Sequence, residues 1–347
     1  MNSVDSLLPK GMPESVPLHY VPSETVYVAD GFAIAPLPLG TTAMKVFNPY
    51  VPATEWIHAA RADDLVALQR NSRHRRSYGL AWDDMPEDVD VTIKGADWSN
   101  PSLRPGYRIR DTEYFGGLQY EDAEAALQAG TRLDEAGIYG ERIVRIDAPQ
   151  ALPMGNELHE PQYVIDEIVE SYIFMKGKYR TVLSRDTHRP VVAIRTAPTD
   201  IRLWDFQADA SASQLSGYLE VGMQRAAEVD DAYAGMNPLE PADAEALFMK
   251  VLPDLYGRQM GRLEGSGLRQ RYPHVGNIAI DGGLIDLDGI MPNRKSRIFR
   301  YADHFVEGAK RAQEVLAGQD MAPYPSRFYD LKVRAEFVGS FKKGKRQ

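Results

Sequence analysis

The sequence predicts an α+β protein of two unequal lobes. Three observations lead there. Period-two alternation is concentrated before residue 200 and is clearest from Asp88 to Lys94. Helical spacing of apolar residues dominates after it. Between the late helices, Pro273 to Gly289 reads as a β-hairpin. In it, Ile278 and Ile280 alternate with small residues, Asp281-Gly282-Gly283 makes the turn, and Leu284-Ile285 leads back. Strands gathered early and helices late are the mark of segregated α+β architecture.

Taken in order, residues 1–24 are rich in proline and polar residues and read as an arm on the surface. Thr25 to Asp30, Phe32 to Ala35 and Met44 to Phe47 read as strands. The connection Pro36-Leu-Pro38-Leu-Gly40 has one glycine and two prolines, a weak match to a phosphate-covering loop and a better one to an ordinary connection. Glu55 to Arg70 has helical spacing through Trp56, Ala60 and Leu68, and ends in a basic cluster, Arg70 to Arg76. Asp88 to Lys94 puts Val89, Val91 and Ile93 on one face, and Asp90, Thr92 and Lys94 on the other.

After a Pro/Gly-rich loop from Asn100 to Gly117 comes a helix, Tyr120 to Ala136, carrying Glu121, Asp122 and Glu124. Arg142 to Asp147 is a strand, Ala148 to Pro161 a loop, Tyr163 to Met175 a helix and Pro190 to Thr196 a buried strand. Leu215, Tyr218, Leu219 and Met223 mark the next helix. Ala242 to Leu263 is another, kinked at Pro253. Phe305, Ala309, Ala312 and Leu316 mark a later one. The expected organisation is an arm (1–24), a mixed lobe (25–200), a mostly helical lobe (201–330) and a basic, solvated tail (331–347) ending Lys342-Lys343-Gly-Lys345-Arg346.

Composition narrows the function. With 44% hydrophobic and 26% charged residues the chain has the make-up of an ordinary folded protein. A net charge of −9 disfavours general nucleic-acid binding. The absence of cysteine excludes disulfides, thiol nucleophiles and thiolate-bound zinc, and suits a reducing compartment. The first 20 residues lack the apolar core of a signal peptide, and no apolar run approaches the ~18 residues of a membrane span. The expected location is cytoplasmic, with no membrane and no nucleic-acid partner.

The hairpin carries the chemistry. Asn277 stands at the mouth of its first strand, with Asp286 and Asp288 at the end of its second, so an amide oxygen and a carboxylate converge. Such oxygen donors suit a hard, partly hydrated Mg²⁺ that also binds phosphate. An Asn, a short hairpin and then a metal-binding Asp is also the wiring of a protein-kinase-like C-lobe. The alternative is a surface hairpin with solvated turn acids.

Ile93-Lys94-Gly95-Ala96 resembles the Leu-Lys-Gly-Ala that carries the phosphate-binding lysine of the selenoprotein O family, kinase-like adenylyltransferases. Ala193-Ile-Arg195-Thr-Ala-Pro-Thr-Asp-Ile-Arg202 is similar to that family's Val-x-Arg-x-Ala-x-Ser-His-Ile-Arg element, with the seven-residue gap between arginines kept. The nine-residue step from Asn277 to Asp286 is the third match. The resemblance spans roughly residues 90 to 290. It implies a two-lobed protein-kinase-like fold that binds ATP in a flipped orientation and transfers AMP to Ser, Thr or Tyr hydroxyls. It further implies that Lys94 holds phosphates and pairs with a helix glutamate. Glu124 is the nearest fit, with Glu121 in reserve. Arg195 and Arg202 would grip the pyrophosphate end, and Asn277 and Asp286 would hold Mg²⁺, or Mn²⁺ in its place.

Departures from the family are visible too. Its Arg-Glu-Phe helix motif is missing, Gly276 stands where it has an Asp, and Tyr272 occupies the ordinary kinase-base position. The general base is therefore unassigned. His274, in Pro-His-x-Gly-Asn, reads as structural, and Asp288 as a second metal ligand or a turn cap. Arg195 has a structural alternative as the partner of a carboxylate such as Asp200 or Asp205, and Lys94 one as an exposed strand lysine. The expected function is AMP transfer from Mg·ATP to a hydroxyl on an unidentified protein or small molecule. The alternatives are γ-phosphoryl transfer and a non-catalytic, nucleotide-binding pseudokinase that regulates a partner.

Overall fold

A curled antiparallel sheet dominates the first half of the computed structural model, which describes residues 14–30, 32, 37–45, 65–69, 77–80, 90–96, 118–155, 157–164, 190–208, 210–293 and 295–346. Its strands are β1 (Glu14–Val28), β2 (Thr41–Met44), β3 (Leu65–Gln69), β4 (Ser77–Leu80), β5 (Asp90–Lys94) and β6 (Leu118–Gln119), then β7 (Arg142–Pro149) and, after the small hairpin β8 (Leu152–Met154) and β9 (Glu157–His159), β10 (Pro190–Ala197). Pairing runs β1–β3–β4–β5–β10–β7 and returns to β1, every step antiparallel. The return is possible because β1 is 15 residues long: Glu14 to Leu18 faces β3, whereas Ser23 to Val28 faces β7. Ring closure leaves few free edges in this part of the molecule.

The ring's faces are set by the two-residue period of the strands. On β10, Val191 and Ala193 join the core shared with the helices, while Val192 and Ile194 are buried on the opposite face. Lys94 of β5 lies opposite Ala193, and Thr92 opposite Arg195. Cross-strand partners share a face, so Lys94 and Arg195 both project on the helix side.

That side is covered first by α1 (Tyr120–Glu135), whose buried face is Ala123, Ala126, Ala129, Gly130 and Leu133. Small residues there let the helix approach the sheet closely. Then follow α2 (Ala212–Val229), started by a Ser211–Gln214 capping box, α3 (Pro241–Ala246) and α4 (Leu252–Gly265). A wide π-turn, Leu247–Val251, joins α3 to α4. Pro253 has no N–H to continue the α pattern across this junction, so the hydrogen-bond pattern is interrupted where the sequence led one to expect a kink. The ribbon β11 (Leu268–Gln270) with β12 (Ile290–Pro292) closes the base of segment 271–289. The last helices are α5 (Ile298–Ala317) and α6 (Tyr329–Gly344). Helix α6 packs on α4 along Gly257 and Gly261, where Phe337 and Phe341 carbonyls come too close for any Cβ. One continuous core runs from Leu118 of β6 to Phe341 of α6. The protein is thus a mixed α+β structure. Among the described residues, no helix is long and apolar enough to cross a membrane.

Several expectations are corrected. The second half of the expected arm is strand: residues 14–24 lie in β1. The helix expected over Glu55 to Arg70 is contradicted at Leu65–Gln69, which is β3. This run, Leu-Val-Ala-Leu-Gln, satisfies either period, and the backbone of Glu14 to Leu18 decided for the strand. Residues 55–64 and the basic cluster at 70–76 lie outside the described residues, as do 33–36, 46–47, 97–117 and most of the helix expected from Tyr163. The loop expected at Ala148 to Pro161 contains the β8–β9 hairpin. The basic tail is the end of α6: Lys342, Lys343, Lys345 and Arg346 are exposed as expected, whereas Phe341 is buried and Gly344 lies against the Arg258 carbonyl.

Candidate functional site

The expected hairpin is a tighter object than two strands and a turn. Val275–Asn277 is a 3-10 turn, Ile278 bridges Leu284, and Leu287–Gly289 is a second 3-10 turn. At the tip, Gly282 N–H donates to the Ala279 carbonyl (2.9 Å) and Gly283 N–H to Asp281 Oδ1 (2.7 Å). Gly282 has φ +80, and a Cβ there would come within 2.9 Å of Leu255 Cβ, so α4 presses directly on the tip. The Ile285 N–H faces the Asn277 carbonyl at 3.4 Å, so Asn277 and Asp286 stand together at the open end. Asn277 is buried and donates its amide Nδ2 to the Tyr272 carbonyl (3.1 Å).

Two chain segments lace this turn to the rest of the molecule. Ile201 to Leu203 runs beside Ile278 to Ile280, with Ile280 N–H on the Ile201 carbonyl (2.8 Å) and Leu203 N–H on the Ile278 carbonyl (3.1 Å). On the other flank Gly140 bridges Leu284, and Glu141 N–H donates to the Leu284 carbonyl (2.8 Å). A side chain at 140 would collide with that carbonyl, which is why a glycine precedes Glu141.

These contacts assemble six charged side chains. Lys94, the last residue of β5, pairs its ammonium with Asp286 Oδ1. Gly95 then turns the chain at φ +87, and a Cβ there would lie 2.6 Å from the Val191 carbonyl oxygen, a physical reason for Lys-Gly at this place. Arg195, from the middle of β10, donates Nη1 to Glu141 Oε2 at 2.5 Å, and both side chains are nearly inaccessible. Arg202 donates Nε and Nη2 to Asp200 Oδ1 (3.1 and 2.7 Å) and Nη1 to the Gly276 carbonyl (2.8 Å). Its backbone N–H is taken by Asp205 Oδ2 (2.7 Å). Each of the three cations thus has a carboxylate partner, and Asp205 adds a fourth buried carboxylate beside Arg202.

Asp286 is the focus. Its backbone is left-handed (φ 64, ψ 64), rare for a residue other than glycine and tolerated best by Asn and Asp. Such conformations persist where the surroundings over-determine them. Here Ile285 and Leu287 are buried on either side, and Asp286 N–H points at Glu141 Oε2 (3.3 Å). Burial would raise its carboxyl, but Lys94 first, then Arg202 and Arg195, outweigh burial and hold it far below the usual carboxylate range. Burial would lower Arg202, and Asp200, Asp286 and Glu141 more than reverse that. Lys94, Arg195, Arg202 and Asp286 therefore share one electrostatic neighbourhood.

The helix glutamate does not join them. The Lys94 carboxylate partner here is Asp286, and Glu124 receives the Tyr120 hydroxyl at 3.5 Å. Helix α1 turns its alanines inward, which leaves Glu121 exposed and Glu124 half-exposed. Arg195 has a carboxylate partner, but it is Glu141 rather than Asp200 or Asp205. Glu141 was missed by sequence reasoning; its one signal was a charged residue between Gly140 and a buried strand. His274 is structural: it caps the Val275–Asn277 turn, its Nδ1 accepting the Gly276 N–H (3.2 Å), with Trp204 edge-on at 6.1 Å. Burial pushes its imidazole below the ordinary value. An Asp at 276 has no room, since a Cβ there would lie 2.6 Å from the Trp204 ring. The side chain of Asp288 lies outside the described set.

Among the described residues, no three His, Asp or Glu side chains gather as a metal cage. The donors on offer are Asn277 Oδ1 and the Asp286 carboxylate. That set suits Mg²⁺, which retains water and binds through one or two carboxylates plus substrate phosphate. No protein-family model matches the chain, and no curated protein matches it either.

Proposed function

We propose that the protein binds Mg·ATP and transfers AMP to a hydroxyl acceptor, on a two-lobed kinase-like fold of the selenoprotein O type. The observation that carries this reading is the Lys94–Asp286 pair on a left-handed Asp, beside Asn277 and with two buried arginines behind it. Held by Asn277 and Asp286, the metal would screen the phosphates and draw off the charge that develops in transfer. With a metal at the open end of the turn, the Asp286 carboxylate would be shared between it and Lys94, and Lys94 could then reach a phosphate as a point charge. Arg195 and Arg202, fixed by Glu141 and Asp200, would contribute ion-pair dipoles that do not reorganise during reaction. The acceptor oxygen bonds to the α-phosphorus, the bond from that phosphorus to the α,β-bridging oxygen breaks, pyrophosphate leaves with the electron pair, and the hydroxyl proton passes to solvent.

A specific observation favours a second reading, nucleotide binding without turnover. The family's Asp position is Gly276 with Trp204 against it, and every cation of the cluster already has a carboxylate. ATP labelled separately at the α- and γ-phosphorus, offered with Mg²⁺ and a panel of hydroxyl-bearing proteins and small molecules, tests both. Label from the α-position and an added adenylyl mass on the acceptor are expected. Label from γ alone makes the protein a kinase. Metal-dependent binding without label transfer makes it a nucleotide-binding regulator.

A further inference from the structure

We propose that Glu141 is a positioning residue that holds Asp286 in its metal-binding orientation, and that Arg195 acts on the site partly through it. The inference rests on the reading of Asp286 as a metal ligand and adds a residue to it. Glu141 is 3% exposed and therefore does not reach solvent or an acceptor. One oxygen, Oε2, serves two donors: the Arg195 guanidinium at 2.5 Å and the Asp286 backbone N–H at 3.3 Å. The first bond locks the carboxylate, and the second lands on the residue with the left-handed backbone.

The surroundings are built to deliver that carboxylate. Gly140 lets the chain lie against Leu284, two residues before Asp286, closer than any side chain would allow. Glu141 N–H then fastens to the Leu284 carbonyl at 2.8 Å. Strand β7 begins at Arg142, and Ile143 is the β7 partner of Arg195. Glu141 is thereby pinned from three sides: by the turn through its backbone, by the sheet through its neighbour, and by Arg195 through its side chain. A carboxylate needed only to neutralise Arg195 would require neither the glycine nor the contact with Asp286. The accepted N–H helps select the orientation in which the Asp286 side chain faces Lys94 and the open end of the turn.

Glu141→Ala alone would take a carboxylate from the buried Arg195 and so mix two effects. The test therefore compares two double variants that both lack the arginine, R195M/E141Q and R195M/E141M. Glutamine keeps an oxygen for the Asp286 N–H; methionine does not. Mn²⁺ binding, read from the free-ion electron paramagnetic resonance signal with a non-hydrolysable ATP analogue present, should be about tenfold weaker in R195M/E141M than in R195M/E141Q. The Asp286 amide in the unmodified protein should exchange with solvent slowly, a readout that needs no variant. Equal Mn²⁺ affinity of the two doubles, with the unmodified protein binding more tightly than D286N, overturns the role of Glu141 alone. Equal binding by the unmodified protein and D286N overturns the metal reading and this inference together. An Asp286 amide that exchanges as fast as an open loop overturns the positioning role whatever the variants do.

Discussion

The tip of the site turn offers a prediction that does not depend on the substrate. Asp281 is 1% exposed. Its Oδ1 accepts the Gly283 N–H, its Oδ2 has no hydrogen-bond partner, and the Tyr139 hydroxyl donates to its main-chain carbonyl at 2.5 Å. Burial raises the carboxyl from 3.8 to about 6; Asp90 adds to the rise, while the backbone donors and Arg225 oppose it. The folded value exceeds the unfolded one, so the native state binds the proton more tightly. The associated stability is fully present below about pH 3.8 and is lost as pH rises through about 6. Moving a carboxyl from 3.8 to about 6 amounts to about 3 kcal/mol at most. Asp281→Asn keeps the oxygen that Gly283 needs and removes the ionisation, although its new amide N–H finds no acceptor where Oδ2 was. The absolute difference between the two proteins is therefore uninformative, and its pH slope is the measurement. Urea unfolding of both proteins from pH 4 to 8 should show the variant gaining on the wild type by about 2–3 kcal/mol, mostly between pH 4 and 6.5. Contributions from other titrating groups cancel in the difference. A flat difference, or a wild type that gains as pH rises, would refute the reasoning.

Three further perturbations test the rest of the molecule. If the proposed reaction holds, Asp286→Asn should abolish metal-dependent nucleotide turnover, yet tighten binding of metal-free ATP about tenfold by removing a carboxylate from beside Lys94; isothermal titration in EDTA reads this, and weaker binding counts against the Lys94–Asp286 pairing as described. Arg145 is a buried clamp whose guanidinium donates to the Leu37, Pro38 and Thr41 carbonyls and to Asp147. Arg145→Met leaves Asp147 uncompensated and should destabilise the fold by about 3–5 kcal/mol in denaturant titration, a loss under 1 kcal/mol being incompatible with the clamp. Gly261→Ala forces a methyl into the Phe341 carbonyl and should cost about 2–3 kcal/mol, whereas Gly339→Ala, where a Cβ meets nothing within 4 Å, should gain up to about 1 kcal/mol; a melting temperature that does not fall in the first, or does not hold or rise in the second, refutes that expectation.

The arginine clamp also explains the connection after Pro36. Its carbonyls turn inward to Arg145, and Gly40 N–H faces Thr25 Oγ1 at 3.3 Å. That is an ordinary anchored connection rather than a cradle of N–H groups for phosphate.

Much of the framework was legible from residue order alone. Helices α1 and α5 lie where the periodicity put them because each has one face that must leave water, and strands β7 and β10 lie where expected as short runs buried on both faces. The glycines after Lys94 and around Asp281 mark real turns, since their backbone angles or close contacts tolerate nothing larger. The seven-residue step from Arg195 to Arg202, broken at Pro198, suggested that the two side chains fold back toward one point, and both lie near the Asp286 carboxylate. Periodicity was silent at Leu65–Gln69, where four apolar residues before Gln69 fit helix and strand alike, and a partner strand some 50 residues earlier chose. It was silent again on the charges. Lys94 finds Asp286 across 192 residues, and Arg195 finds Glu141 across 54. A sequence shows which side chains carry charge and which faces avoid water. Which carboxylate neutralises which cation depends on the elements brought together by burial of the core, and only the folded chain contains that information.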